Sequence, residues 1–184
     1  MLKNYNEILH LHEKMTTARL VLRRADSLDA ADLLEIAADP QALEYLVWEG
    51  CDSIDDMRIG IYDFHLSRPG VWIIDLNGKA IGTIDIRLDH NNDKAAFGFV
   101  INREYWGRGY ATEALKAVLA LCFDGLQLNR VESQHYVGNE GSGRVMAKCG
   151  MKYEGTQIQG QKIKGVFRDI VLYGITRGQY AALL

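Results

Sequence analysis

Apolar positions along the chain fall into short runs and helical stripes in a readable order. Leu20-Val21-Leu22, within residues 19–24, reads as a first strand. Ser27 offers an N-cap to a helix carrying Leu28, Leu33, Leu34 and Ile36, which ends near Pro40. Residues 41–49 are short and aromatic, with Tyr45 and Trp48. Ser53 and Asp56 make a capping-box start to a second helix, and Ile54, Met57, Ile61 and Phe64 form its single apolar stripe. Arg68-Pro69-Gly70 closes it. Residues 71–76 and 79–88 flank Asn77-Gly78, whose turn type matches strand twist, so they form an antiparallel hairpin.

A polar turn at 89–93 leads into Ala95-Ala96-Phe97-Gly98-Phe99-Val100-Ile101, a buried strand. Good helix formers then run from Ala114 through Leu121 and on to Asp124-Gly125. Residues 130–137 follow as a strand and 142–149 as a helix, stopped by Gly150 in the position where glycine is preferred. Residues 151–154 and 168–176 are the closing strands. This order predicts a mixed α/β fold built on one sheet, with a ligand loop at its centre. Residues 1–15 read as an N-terminal extension, either an appended helix or a poorly ordered arm, and residues 16–184 as a single domain.

Composition narrows the function. The 184 residues are 48% hydrophobic and 24% charged, as in an ordinary globular protein, and the net charge of -3 argues against a general nucleic-acid binder. No apolar run approaches the ~20 residues of a membrane helix, and the start lacks the apolar segment of a signal peptide. Cys51, Cys122 and Cys149 are an odd number without close pairing, which reads as reduced thiols in a cytoplasmic protein. The histidines show no metal-ligand spacing, so no metal is expected.

Chemistry concentrates in Glu104-Tyr105-Trp106-Gly107-Arg108-Gly109-Tyr110-Ala111-Thr112-Glu113-Ala114, between the buried strand and the long helix. A glycine-bearing turn opening a helix leaves the first amides unpaired and aimed at one spot, which suits a phosphate or pyrophosphate. Gly107 and Gly109 remove side chains that would hold an anion away, and Arg108 adds charge at the rim. The dinucleotide fingerprint fails here because its third glycine is missing and Glu113 sits where a small residue belongs. The Walker pattern lacks its Gly-Lys-Ser/Thr ending.

With these residues in order, the chain resembles the GNAT superfamily of acyl-CoA N-acyltransferases, and most of all its ribosomal-protein N-terminal acetyltransferase branch. The landmarks are Arg19-Leu20-Val21-Leu22-Arg23, Ile81-Gly82-Thr83-Ile84, Phe97-Gly98-Phe99-Val100-Ile101, the glycine loop, Asn129-Arg130-Val131-Glu132, Asn139-Glu140-Gly141-Ser142, and Lys148-Cys149-Gly150-Met151 with Tyr153-Glu154-Gly155. The resemblance covers about residues 16–178. The resemblance implies a mostly antiparallel central sheet with a splayed strand pair and flanking helices. It implies that Phe99–Ile101 is bulged away from strand 130–137, with the pantetheine arm in the opening. An amide near Val100 would face the thioester carbonyl, and the amides of Gly107, Arg108, Gly109, Tyr110, Ala111 and Thr112, next to Trp106, would seat the pyrophosphate. Asn139 would hold the pantetheine arm, Ser142 would lie near the sulfur, and Lys148 would join the cofactor-binding set.

The sequence also departs from the family. Met146 stands where many relatives carry a tyrosine general acid, leaving Ser142 as proton donor to the thiolate. Ala96 stands where many carry a glutamate, and Gln161 near a second acidic position. An attacking amine must lose a proton, and Glu49, Asp85, Glu132, His135 and Glu154 are the candidates to take it. Each also has a structural reading: Glu49 as a solvated loop acid beside Trp48, Glu132 and Glu154 as structural or exposed acids, His135 as a hydrogen-bonded core histidine, Asp85 as an edge residue, and Ser142 as an N-cap. The expectation is acetyl transfer from acetyl-CoA to a primary amine of a protein N-terminus or small molecule, with no direct nucleic-acid or membrane partner and a possible homodimer through edge strands. The alternative is a CoA-binding sensor or regulatory module without turnover, and a dinucleotide-binding unit is disfavoured by the antiparallel hairpin before the loop.

Overall fold

The computed structural model describes residues 4–184. Among them, eight strands form one sheet in the order β1-β2-β3-β4-β5-β6-β8-β7: β1 Lys14–Thr16, β2 Val21–Arg23, β3 Val71–Leu76, β4 Lys79–Asp89, β5 Lys94–Ile101, β6 Arg130–Tyr136, β7 Lys152–Ile163 and β8 Val166–Thr176. Every pairing is antiparallel except β5 with β6. Seven α-helices among the described residues flank it: α1 Tyr5–Leu11, α2 Ala30–Ala37, α3 Pro40–Leu43, α4 Ile54–Gly60, α5 Tyr110–Ala120, α6 Glu140–Lys148 and α7 Arg177–Ala181.

Alternation along the strands sends side chains to two cores. Trp72 and Ile74 of β3 join Leu22, Ile84, Phe97, Leu115 and Val118 on the α5 face, whereas Ile73 joins Leu33, Ile36, Met57 and Ile61 on the α2 and α4 face. Helix α5 buries Ala114, Leu115, Val118 and Leu119, one stripe of its surface. Tyr5 and Leu9 of α1 are buried in the larger core. The Asn77-Gly78 turn has both φ angles positive (54° and 89°), the geometry that the hairpin reading requires.

Several local readings need correction. Ser27 does not cap α2; it opens a 3-10 turn, Ser27–Asp29, that leads into α2. Asp26 caps that turn, accepting from the Leu28 amide while the Asp29 carboxylate accepts from the Asp26 amide, and Leu28 is left exposed. The stripe over residues 54–64 is broken because α4 passes at Ile61 into wide π-type turns over Ile61–Leu66. These bury Met57 and Ile61 but leave Ile54 and Phe64 partly exposed. The two closing strands are much longer than residues 151–154 and 168–176: residues 155–167 form the middle of the β7–β8 hairpin, turning at Lys164 and Gly165, where φ is 45° and 83°.

The architecture positions one opening. Strands β5 and β6 pair only at Lys94↔Arg130, Ala95↔Val131 and Ala96↔Glu132, and then part. Beyond the last pair, the Ser133 hydroxyl still reaches across to the Phe97 carbonyl at 2.8 Å. The parting does not come from a bulge in β5, whose register with β4 is unbroken from Lys94 to Ile101.

Candidate active site

Three parts converge at that opening: the free edge of β5, the head of α5 and the head of α6. The edge follows from hydrogen-bond alternation. Ile86 donates to Gly70 on one side of β4, so Asp85 and Thr83 face β5 on the other. Asn102, just past β5, donates to Ile81. Val100, opposite Thr83, therefore turns its amide toward β4. The amides and carbonyls on the open side belong to Phe99 and Ile101. The Ile101 carbonyl accepts from the Trp106 indole at 2.7 Å. An extended ligand can pair with Phe99 as an added strand would.

At the head of α5, Gly107 and Gly109 have φ of 74° and 82°, values that only glycine adopts freely. Among the described residues, no backbone or side-chain acceptor takes the amides of residues 107–112; the first bond of the turn is Glu113 N–H to the Gly109 carbonyl. Six unspent donors at the positive end of an 11-residue helix form an anion cup. Such a cup suits a phosphate or diphosphate group. Glu113, which argues against the dinucleotide fingerprint, braces it. Its carboxylate accepts from the Thr17 hydroxyl (2.7 Å), the Arg19 amide (2.8 Å) and the Arg19 guanidinium (2.7 Å). Burial alone would raise its pKa, but these bonds outweigh that and hold it below the ordinary value. Arg19 also donates to the Arg108 carbonyl and stacks on Tyr110. Arg108 itself is exposed at the rim, as is Trp106 at 51%.

Helix α6 begins differently from its sequence reading. Asn139 is the N-cap, its side chain accepting from the Ser142 amide at 3.3 Å, so Ser142 sits in the first turn rather than at the cap. Freed from capping, the Ser142 hydroxyl has no partner among the described residues and faces the cavity. Lys148 lies exposed in the last turn, away from it.

The cavity holds about 1520 Å³ on the α2 and α4 side of the sheet, and Phe99, Val100, Asn139, Ser142 and Trp48 line it. Glu49 does not. Its side chain is 78% exposed and sits 4.0 Å from Lys164. The other proposed bases, Asp85, Glu132, His135 and Glu154, all line the cavity. Glu132 takes Lys94 Nζ and Arg130 Nε at 2.8 Å each, and Glu154 is held by both terminal nitrogens of Arg130. Although burial favours the neutral acid at Glu132, these cations leave it below the ordinary carboxylate range, and Arg130 does the same for Glu154. His135 is buried, with Nδ1 2.9 Å from the Tyr136 carbonyl, and its Nε2 abuts Gly143 of α6. Sequence reasoning missed His65, buried in the π-type turns and lining the cavity, its Nδ1 without a partner among the described residues; burial drops its pKa to about 4. The apolar stripe gave no hint of it.

A family model described as an acetyltransferase (GNAT) domain matches residues 19–152. "Uncharacterized N-acetyltransferase p20" of Bacillus licheniformis is 28% identical over 176 residues, 92% of this chain and 99% of the relative. "Putative ribosomal N-acetyltransferase YdaF" of Bacillus subtilis is 33% identical over 105 residues, 56% of this chain and 57% of the relative. A solved GNAT-family acetyltransferase from Bacillus anthracis superposes with a TM-score of 0.82 at 25% identity, covering 90% of this chain and 99% of that one.

Proposed function

The chain belongs to the GNAT acetyltransferase family, and from that premise we propose that it acetylates a primary amine by direct attack within a ternary complex. It is an acetyl-CoA-dependent N-acetyltransferase, and acetyl-CoA supplies the activated acetyl group. The observation that carries the mechanism is the line of unspent groups running from the six amides of residues 107–112, past the open edge of β5, to the free Ser142 hydroxyl.

Each group has a separate task. The amides of 107–112 bind the diphosphate. The edge of β5 aligns the pantetheine arm, with Asn139 beside it, and the Phe99 amide donates to the thioester oxygen as charge gathers there. The Ser142 hydroxyl gives a proton to the departing sulfur. Holding amine and thioester together removes the entropy of a bimolecular encounter. The acceptor enters the cavity from the side of Trp48 and the β7–β8 hairpin, a space that accommodates a small amine or the N-terminal residue of a protein. The reading is tested by measuring thiol release from acetyl-CoA across small amines, polyamines and peptide N-termini, with mass spectrometry of the products. Acetylated amine with stoichiometric thiol supports it; acetyl-CoA binding with no amine accelerating thiol release rejects it.

A further inference from the structure

Resting on the transferase reading, we propose that Asp85 takes the proton from the acceptor amine, reaching the reaction centre across Gly98. Ala96, which lines the cavity on the parting strand β5, carries no group that could take a proton, so the carboxylates on neighbouring strands are the groups to compare. The sheet contributes three carboxylates to the cavity floor. Both oxygens of Glu132 and both of Glu154 are occupied by Lys94 and Arg130. Asp85 differs. Its Oδ2 accepts from Arg87, but its Oδ1 has no donor among the described residues.

Where that oxygen lies is set by β4 and β5. Asp85 is paired with Gly98, one residue before Phe99, whose amide faces the opening. Adjacent strands stand about 4.8 Å apart, and a side chain on Gly98 would block the way. A Cβ built there lies 3.0 Å from Asp85 Oδ1 and 3.3 Å from Arg87 Nη1. The missing side chain thus lets a carboxylate from the neighbouring strand overhang the edge where the thioester is held. The Asp85 side chain is 14% exposed, reachable from the cavity but largely withdrawn from bulk water.

The charges around it suit a proton acceptor. Burial raises its pKa above the ordinary value, against the opposing pull of Arg87 on its own strand and Arg68 beyond the π-type turns. The residues paired with it on β3 and β5, Val71 and Gly98, carry no charge. His65, from the helical side of the cavity, stays neutral near pH 7 because burial lowers its pKa to about 4.

The proton count closes. The ammonium form of the amine gives one proton to Asp85, and its nitrogen lone pair forms the C–N bond at the thioester carbonyl. The C–S bond breaks and the thiolate takes its proton from Ser142. Ser142 regains one from the nitrogen, directly or through water, as the amide forms. Asp85 then releases its proton to solvent.

The test compares Asp85→Asn and Arg87→Ala with the parent enzyme, measuring kcat/KM for a primary amine from pH 6 to 9.5, with acetyl-CoA affinity as the check on folding. We expect Asp85→Asn to bind acetyl-CoA normally and to lose about 100-fold or more in kcat/KM at pH 7. That deficit should shrink as pH rises and solvent deprotonates the amine. Removing Arg87 takes away a positive charge, so its acid limb should move to higher pH. An Asp85→Asn enzyme within twofold of the parent across the range overturns the proposal. So does a deficit that is constant with pH. If Asp85→Asn fails to bind acetyl-CoA, Arg87→Ala decides alone, and an unmoved acid limb rejects Asp85. Failure of the parent enzyme to acetylate any amine would instead sink the transferase mechanism itself.

Discussion

Ser142 shows how much one residue's role depends on its neighbour. As a cap its hydroxyl would be spent on a backbone amide; with Asn139 as cap, the hydroxyl is free in the cavity. Ser142→Ala should therefore leave acetyl-CoA affinity within about twofold and cut kcat by roughly 100-fold. A variant with full kcat would end its role as proton donor. The sequence made Ser142 and Asn139 legible as a pair but not which of them caps, since both side chains suit the task. It also offered five acids and bases without ranking them. Ranking required knowing that Arg130 and Lys94 occupy Glu132 and Glu154, and such pairings join residues distant in sequence.

Among the elements, α5 and its preceding loop were plain in the sequence because glycines with positive φ and a run of helix formers leave little else to form. What braces them was not. Glu113 ties the first turn of α5 to Thr17 and Arg19, and Asn102 and Arg103 tie the start of the loop to Glu35 and Asp39 near α2. Glu113→Ala removes three acceptor contacts and should lower stability by about 1–2 kcal/mol. Because the cup loses its brace, acetyl-CoA binding should weaken as well. Calorimetric titration alongside denaturant unfolding checks both, and unchanged affinity would show that the cup holds its shape without Glu113. The long β7–β8 hairpin escaped sequence reading for a different reason. Gly155, Gly160 and Gly165 punctuate it, and its outer side chains Ile158, Val166 and Phe167 are exposed, so no alternation toward a core marks it.

At the scale of the whole molecule, the order of the main strands and helices between residues 20 and 176 was readable from apolar runs and helical stripes, whereas the division of the core between the two faces of the sheet came only with the structure. The parting of β5 from β6 was implied only by family resemblance, because nothing in either strand's pattern says where pairing stops. The fold also leaves His65 buried in the second layer with its pKa lowered from 6.5 to about 4. A lowered folded-state value means that the unfolded chain binds the proton first. Stability from this site is full above pH 6.5 and declines as pH falls toward 4. Each tenfold difference in proton affinity between folded and unfolded chains is worth about 1.4 kcal/mol, so the loss approaches roughly 3 kcal/mol. His65→Phe should flatten the fall in unfolding free energy between pH 6.5 and 5, measured in urea; an unaltered slope would show that His65 does not titrate on unfolding. Carboxylates with lowered values, such as Glu113 and Glu132, act below their ordinary 4.5 and stay outside that window.

The central claim is that the backbone at the head of α5 seats the diphosphate of acetyl-CoA while the open edge of β5 holds its arm. Backbone amide shifts followed by NMR as coenzyme A is added test it most directly. The largest changes should fall on Gly107 to Thr112, followed by Phe99 and Ile101, and adenosine 3′,5′-bisphosphate, which lacks both the arm and the full diphosphate bridge, should perturb neither set fully. Saturable binding of coenzyme A that leaves the amides of residues 107–112 unmoved would contradict the account.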